Sequence, residues 1–182
     1  MRDQRSGGMW SLWLWPVLAG CAMLPVGVFP RTTIPAEIAA PGDQKLALVA
    51  AAAGVQIYRC DPKKDAPSAS AWVFQAPEAI LRDVAGRYIG KHYAGPTWEA
   101  EDGSKVVGAV DARRDAPEST AIPWLRLKTK SSGSAGTLTA VTSVLRLSTA
   151  GGQPPPGGCS EPDLGRIVRV EYSADYYFYV NR

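Results

Sequence analysis

Short apolar or alternating stretches, separated by turn residues at intervals of roughly 8–12 positions, make up most of this chain. No stretch shows a sustained 3.6-residue periodicity with helix caps, so helices can contribute little to the fold. We therefore predict an all-β domain of about ten short strands, either an antiparallel β-sandwich or a barrel-like meander. The predicted strands span residues 45–51, 55–59, 71–75, 79–83, 87–93, 97–101, 105–112, 124–130, 137–147 and 167–172. A closing aromatic stretch, 175–180, is expected to continue the last strand, with Tyr176 and Phe178 on one face and Tyr177 and Tyr179 on the other.

Length and composition limit the chain to one domain and exclude several classes of function. With 182 residues, of which 46% are hydrophobic, the chain can bury one ordinary core and is not disordered throughout. Its net charge of +3 is too small for a nucleic-acid groove. One His and three Cys leave little material for a metal site or a redox centre, so we expect no metal and no cofactor.

The first twenty residues have the features of an export signal. Arg2 and Arg5 give a positively charged start, and an apolar stretch over residues 9–18 follows it. Residues 18–21, Leu-Ala-Gly-Cys, resemble the lipobox of bacterial lipoproteins. That resemblance implies that Cys21 becomes the first residue of the mature protein and carries a lipid.

The signal also predicts a domain division and a location. Residues 1–20 would form the signal peptide, 21–43 a Pro-rich tether, and 44–182 a single all-β domain. The protein is then expected in the bacterial cell envelope, with the membrane as its partner through the lipid on Cys21. Because Ala22 rather than Asp follows the cysteine, a Gram-negative host would place it at the periplasmic face of the outer membrane. A cleaved signal that releases a soluble protein, and an uncleaved membrane helix, stay open as alternatives.

The remaining two cysteines predict one disulfide bond. Without Cys21 the count leaves Cys60 and Cys159, and an exported protein meets an oxidising compartment. The bond would close a loop of about 100 residues, which stabilises the fold by up to roughly 4–5 kcal/mol. Two free thiols are the alternative, but the chain has no Cys-x-x-Cys motif that would suggest redox catalysis.

Several motifs, in order along the chain, resemble one known family. They are residues 54–60 (GVQIYRC), 72–77 (WVFQAP), 92–99 (HYAGPTWE), 102–104 (DGS), 121–125 (AIPWL), 151–159 and 172–179 (YSADYYFY). This pattern is similar to the exported family named Domain of Unknown Function 3455, found in bacteria and fungi, and the likeness extends from about Ile34 to Tyr179. The family implies no particular activity, since none is established for it as a class.

Some fungal relatives in that family carry a malate dehydrogenase label, which this chain does not fit. A nicotinamide dehydrogenase needs a strand, a turn and a helix with Gly-x-Gly-x-x-Gly to hold the pyrophosphate. No such spacing occurs, and the mature chain is too short for a dinucleotide domain plus a substrate domain. We therefore exclude a nicotinamide dehydrogenase.

His92, Glu99 and Asp102 belong to the densest polar cluster and are the candidate catalytic residues. If residues 94–96 reverse the chain tightly, His92 lies roughly opposite Glu99, and a carboxylate beside an imidazole suits a general base. The same three side chains could form a loose metal site. The simpler interpretation, which we favour, is a cross-strand hydrogen bond beside a hairpin.

Six aromatic residues are candidates for binding a ligand: Tyr58, Trp72, Phe74, Tyr93, Trp98 and Trp124. Their rings could line a pocket for a hydrophobic molecule or a sugar, or they could be part of the sheet core. Trp72 and Phe74 share one face of a strand with Val73 on the other, so we expect that strand to be buried on both sides.

These observations lead to three functional hypotheses. The first and favoured one is a non-enzymatic, lipid-anchored envelope protein whose β domain binds a small ligand or another envelope component. The second is a hydrolase or lyase that uses His92 and Glu99. The third is a structural or protein-interaction module with no pocket.

Overall fold

The strands of this protein close into one barrel. In a computed structural model, which describes residues 32–182, eight antiparallel strands pair in chain order and β1 also pairs with β8. The strands are β1 Gln44–Lys63, β2 Ala66–Arg82, β3 Tyr88–Tyr93, β4 Thr97–Ala100, β5 Ser104–Arg114, β6 Trp124–Gly133, β7 Val141–Gly151 and β8 Ile167–Asn181. The predicted all-β class is confirmed, and of the two architectures left open the structure is the barrel.

The described residues form eight strands rather than about ten, because two pairs of predicted strands are continuous. Gly54 does not break β1: it lies opposite Ala79, and a Cβ there would come within 2.0 Å of the Glu78 carbonyl oxygen. A glycine is therefore required by the close approach of β2. Pro77 does not break β2, because β3 pairs with β2 only from Ala79 onward and Pro is tolerated where a strand has one neighbour.

Alternation along the strands separates an inner face from an outer wall. Trp98, Tyr176 and Phe178 are almost fully buried inside the barrel. Tyr177 and Tyr179 lie on the outer wall, where they pack against a second apolar cluster. The predicted division of the closing aromatic stretch is therefore confirmed.

The segment before β1 packs on the outer wall. A 3₁₀ turn at Ala36–Ile38 places the Ile38 side chain, which is fully buried, against Trp124, Leu145 and Leu147. The Nη1 group of Arg126 also donates to the carbonyl of Ala39 at 2.6 Å. Within the described residues the packed body thus begins before residue 44, the predicted start of the domain.

A disulfide joins Cys60 to Cys159, as predicted, with the two Cα atoms 6.1 Å apart. It lies at the upper end of the barrel, which we define as the end with the β1–β2, β3–β4, β5–β6 and β7–β8 connections; the other connections lie at the lower end. The β7–β8 connection is held there by further bonds. The amide of Cys60 donates to the Arg166 carbonyl at 2.9 Å, and Trp72 Nε1 donates to the Gly158 carbonyl at 2.9 Å.

No helix within residues 32–182 is long and apolar enough to cross a membrane. The predicted signal peptide and the predicted lipidation site, Cys21, lie outside the described residues.

Candidate functional site

A cavity of about 610 Å³ opens at the upper end of the barrel. Its volume lies within the usual range of small-molecule sites, about 300–1,000 Å³. The residues whose polar or aromatic groups face it include Gln56, Tyr58, His92, Trp98, Arg146 and Tyr176. Every one of these residues is in a strand, so the barrel wall holds the site.

Stacked aromatic rings form the floor of this upper cavity. The indole of Trp98 stacks on the imidazole of His92 with ring centroids 4.5 Å apart and planes 13° apart. Tyr176 meets the two rings edge-on, at 5.4 Å from Trp98 and 5.0 Å from His92. Gly108 on β5 makes room for the indole, because a Cβ there would lie 2.8 Å from Trp98 Cζ3. The floor therefore depends on a residue without a side chain.

His92 is neutral and acts as a hydrogen-bond acceptor in the cavity. Its Nδ1 group donates to the carbonyl of Thr97 at 2.9 Å; since a carbonyl only accepts, Nδ1 carries the proton and Nε2 keeps its lone pair. Burial lowers the pKa of His92 from 6.5 to about 3, and the positive charge of Arg146 also lowers it. A group with so low a pKa is a poor general base near neutral pH.

The prediction that His92 lies opposite Glu99 is wrong by one residue. His92 pairs with Trp98, whereas Glu99 pairs with Lys91. A shift of one residue in a β-ladder moves a side chain to the other face of the sheet. His92 therefore faces the interior and Glu99 the outer wall, so the two cannot act together on one substrate.

Glu99 takes part in a charge cluster on the outer wall. It accepts a hydrogen bond from the Tyr93 hydroxyl at 2.7 Å and forms ion pairs with Lys105 at 3.2 Å and Lys91 at 3.5 Å. The Tyr93 hydroxyl and then Lys105 lower the pKa of Glu99. Both Glu99 and Tyr93, which sequence reasoning considered for catalysis and ligand binding, thus lie outside the upper cavity.

Asp102 stabilises loops at the lower end of the barrel, away from His92. Its Oδ1 accepts from the amide and hydroxyl of Ser104 at 2.9 and 2.6 Å, and its Oδ2 accepts from the amide and hydroxyl of Thr137, both at 2.7 Å. These four bonds hold the pKa of Asp102 well below its usual range. The predicted polar cluster is therefore divided among the interior, the outer wall and the lower end.

Of the six aromatic candidates, three line the upper cavity: Tyr58, Phe74 and Trp98. Trp72 binds the β7–β8 connection through its indole N–H, and Trp124 packs with Ile38 on the outer wall. The expectation that the strand of Trp72 and Phe74 is buried on both sides is wrong, since Phe74 is 49% exposed. That part of β2 extends beyond β3 and has only β1 beside it, which leaves Val73 40% and Phe74 49% exposed.

Sequence reasoning missed two polar residues of the cavity, Arg146 on β7 and Gln56 on β1. Both Nε and Nη2 of Arg146 donate to the carbonyl of Pro123, at 3.0 and 2.9 Å. Gln56 is 2% exposed, and its Nε2 group forms no well-aligned hydrogen bond. Alternation could have found Arg146, because it shares a face with Val144, two residues earlier on a strand of otherwise apolar inward positions.

A second cavity, of about 450 Å³, lies at the lower end and is lined by Leu48, Leu81, Ile89 and Phe178 among others. Trp98 contacts Phe178 with ring centroids 6.3 Å apart, so these two rings separate the cavities. In the part of the chain that the structure describes, no three His, Cys, Asp or Glu side chains come close enough to hold a metal ion.

Fold and site together define an antiparallel up-and-down β-barrel whose upper end is an aromatic, solvent-open cavity. The chain belongs to the family described as Protein of unknown function (DUF3455), which matches residues 41–180 and therefore most of the barrel. No curated protein and no solved structure matched this chain.

Proposed function

We propose that this protein binds a small organic molecule in the upper cavity, and that a lipid on Cys21 attaches the barrel to a membrane of the bacterial envelope. The observation that carries the binding proposal is the cavity itself, which is of ligand size and has a stacked aromatic floor. Two of its lining residues also hold buried donors that form no well-aligned hydrogen bond, Gln56 Nε2 and Trp98 Nε1. An unsatisfied buried donor costs about 1–3 kcal/mol, and most native ones have partners. A ligand with acceptor atoms would satisfy them.

Binding accounts for the site better than hydrolysis or a lyase reaction does. The catalytic hypothesis needs His92 and Glu99 on one side of the wall, and they lie on opposite sides. The hypothesis of an interaction module without a pocket does not explain why the barrel contains a cavity with an aromatic floor. We therefore favour a binding protein.

Two observations support the envelope location. Residues 18–21 have the lipobox pattern, and the Cys60–Cys159 disulfide is of the kind that forms in oxidising compartments. Acyl chains on Cys21 would contribute about 0.8 kcal/mol per buried methylene, so more than one chain makes attachment stable.

Metabolic labelling with an alkyne analogue of palmitate tests the anchor. The protein should become labelled in a bacterial host, and Cys21→Ser should abolish the label and release the barrel from the membrane fraction. A Cys21→Ser protein that retains the label would refute the anchor.

Mass spectrometry of small molecules that copurify with the folded protein tests the binding site. Leu125→Trp adds bulk inside the upper cavity, whereas Val107→Trp adds the same side chain outside it, at a position that does not line the cavity and is 37% exposed. We expect Val107→Trp to retain the molecules carried by the parent and Leu125→Trp to lose them. Equal retention by both variants would place the ligand elsewhere.

A further inference from the structure

We propose that the upper cavity is selective for organic anions, namely a carboxylate on an aromatic or compact apolar body, and that Arg146 is the residue that binds the carboxylate. This inference rests on the binding function proposed above and specifies the class of ligand.

The direction of Arg146 follows from its neighbours in the sheet. It pairs with Tyr176 on β8 and with Leu125 on β6, and both of these line the upper cavity. Directly paired residues share a face of the sheet, so the Arg146 side chain projects into the barrel. Its charge acts there, because it lowers the pKa of His92 and opposes the effect of burial on the pKa of Tyr58.

The guanidinium of Arg146 has N–H donors that remain available to a ligand. A guanidinium has five N–H groups in a fixed plane, and the Pro123 carbonyl accepts from two of them, on Nε and Nη2. Burial raises the pKa of Tyr176, and a side-chain hydrogen bond from Arg146 opposes that rise and uses one further donor, so two N–H groups remain. The Pro123 carbonyl fixes the plane of the guanidinium before a ligand arrives, which reduces the entropy lost on binding.

The charge of Arg146 is not neutralised by a carboxylate of the described chain. No Asp or Glu in residues 32–182 forms an ion pair with it or lines the upper cavity. Outer-wall arginines differ: Arg126 pairs with Asp111 at 2.7 Å and Arg169 pairs with Glu78 at 2.8 Å. A cation in a partly dry cavity without a counter-ion creates a potential that attracts anions.

The other polar groups of the cavity also favour acceptor-rich ligands. Gln56 Nε2 and Trp98 Nε1 are donors that form no well-aligned hydrogen bond, and Arg146 adds N–H groups that the Pro123 carbonyl does not use. A carboxylate has two oxygens and about four lone-pair directions, so one such group can accept from several of them. A neutral alcohol has only two lone pairs and carries no charge, and a protonated amine has no acceptor at all.

The shape of the cavity suits a flat or compact apolar body. Trp98 and His92 form the floor, and Tyr58 and Phe74 meet edge-to-face nearer the upper end with centroids 5.7 Å apart. Arg113 also lines the cavity, and its side chain is 64% exposed. Arg113 forms an exposed ion pair with Asp115 at 3.6 Å, so it adds a partly neutralised positive charge where an approaching anion would first meet the protein.

Matched pairs of acids and amides test the inference. Benzoate, 2-naphthoate and octanoate, each with its uncharged amide, are titrated calorimetrically into the purified full-length protein. For the best-fitting body we expect the acid to bind about tenfold or more tightly than its amide, because hydrogen bonds to a charged group are the stronger ones. Arg146→Met should remove that preference, and Arg169→Met, an outer-wall arginine, should leave it intact.

Arg146→Met also removes the two hydrogen bonds to the Pro123 carbonyl, so a second variant supports the test. Arg113→Met removes an exposed charge at the cavity, and it should weaken binding of the acid about twofold to fivefold, with a smaller salt dependence, without affecting the amide. Equal affinities of acid and amide in the parent protein would overturn the choice of an anion while leaving the binding function in place. Failure of all six compounds to bind would overturn both.

Discussion

Replacing Cys60 and Cys159 together by alanine tests how the disulfide stabilises the barrel. The bonded residues are 99 positions apart, and a loop of that length removes enough entropy from the unfolded chain to be worth about 4.7 kcal/mol at 25 °C. The native state should change little, because the Cys60 amide and the Trp72 indole continue to hold the β7–β8 connection. Nearly the whole effect is therefore expected in the unfolded state.

Urea unfolding, followed by far-ultraviolet circular dichroism, measures this effect. We expect the double variant to lose up to about 4.7 kcal/mol of unfolding free energy and its Tm to fall by about 10–20 °C. The dependence of the unfolding free energy on urea should become steeper, since the unfolded chain without the cross-link exposes more surface. The parent protein under reducing conditions should behave as the double variant does.

Two results would refute this reasoning. A double variant that unfolds within about 0.5 kcal/mol of the parent would show that the cross-link does not constrain the unfolded chain. Unchanged global stability together with new proteolytic cleavage between residues 152 and 166 would show instead that the disulfide acts only on the local connection.

Three further predictions concern the barrel interior and its outer wall. Gly108→Val should lower the unfolding free energy by about 1–3 kcal/mol or more and alter the near-ultraviolet circular dichroism of Trp98, because the added carbons meet the indole at the closest point of the floor. The unfolding free energy should decrease as the pH is lowered below about 6.5, the pKa of His92 in the unfolded chain. The unfolded chain takes up a proton on His92 there, whereas the folded imidazole, with a pKa of about 3, stays neutral until the pH is far lower. The fall between pH 7 and pH 5 should be about 2 kcal/mol, and His92→Gln should lack it in urea titrations at the two pH values; an unchanged slope would mean that His92 is not buried as neutral imidazole. Ile38→Ala should cost about 2–4 kcal/mol in thermal unfolding and Ile167→Ala, which is at 60% exposure, less than about 0.5 kcal/mol; equal effects would mean that the segment before β1 is not packed.

Local patterns in the sequence predicted the all-β class and the disulfide. They also placed Tyr176 and Phe178 on one face of the last strand and Tyr177 and Tyr179 on the other, which is correct. They did not predict where strands end. Gly54 looks like a break, but it is required by contact between two strands, and that contact depends on which residue of β2 lies opposite. Strand length was therefore decided by pairing, which a single sequence does not display.

The candidate site was less predictable, for one geometric reason. Tyr93 pairs directly with Thr97 across the β3–β4 turn, and this register places Trp98, not Glu99, beside His92. A turn with one residue more or less would have changed which residue of β4 lies beside His92. Alternation along β7 could have placed Arg146 on the inner face, but the absence of a carboxylate beside it in the described chain depends on the residues that the other strands bring around it.

The pairing of β1 with β8 also governs how this protein must be made. Gln44, at the start of the barrel, pairs with Asn181. The second edge of β1 therefore stays unpaired until almost the last residue has been synthesised. Pairing between strands so far apart in sequence slows folding. Until β1 and β8 pair, the growing sheet has two unpaired edge strands that other chains can pair with. A chain that ends before β8 would therefore leave the edges of β1 and β7 unpaired, and exposed strand edges favour aggregation.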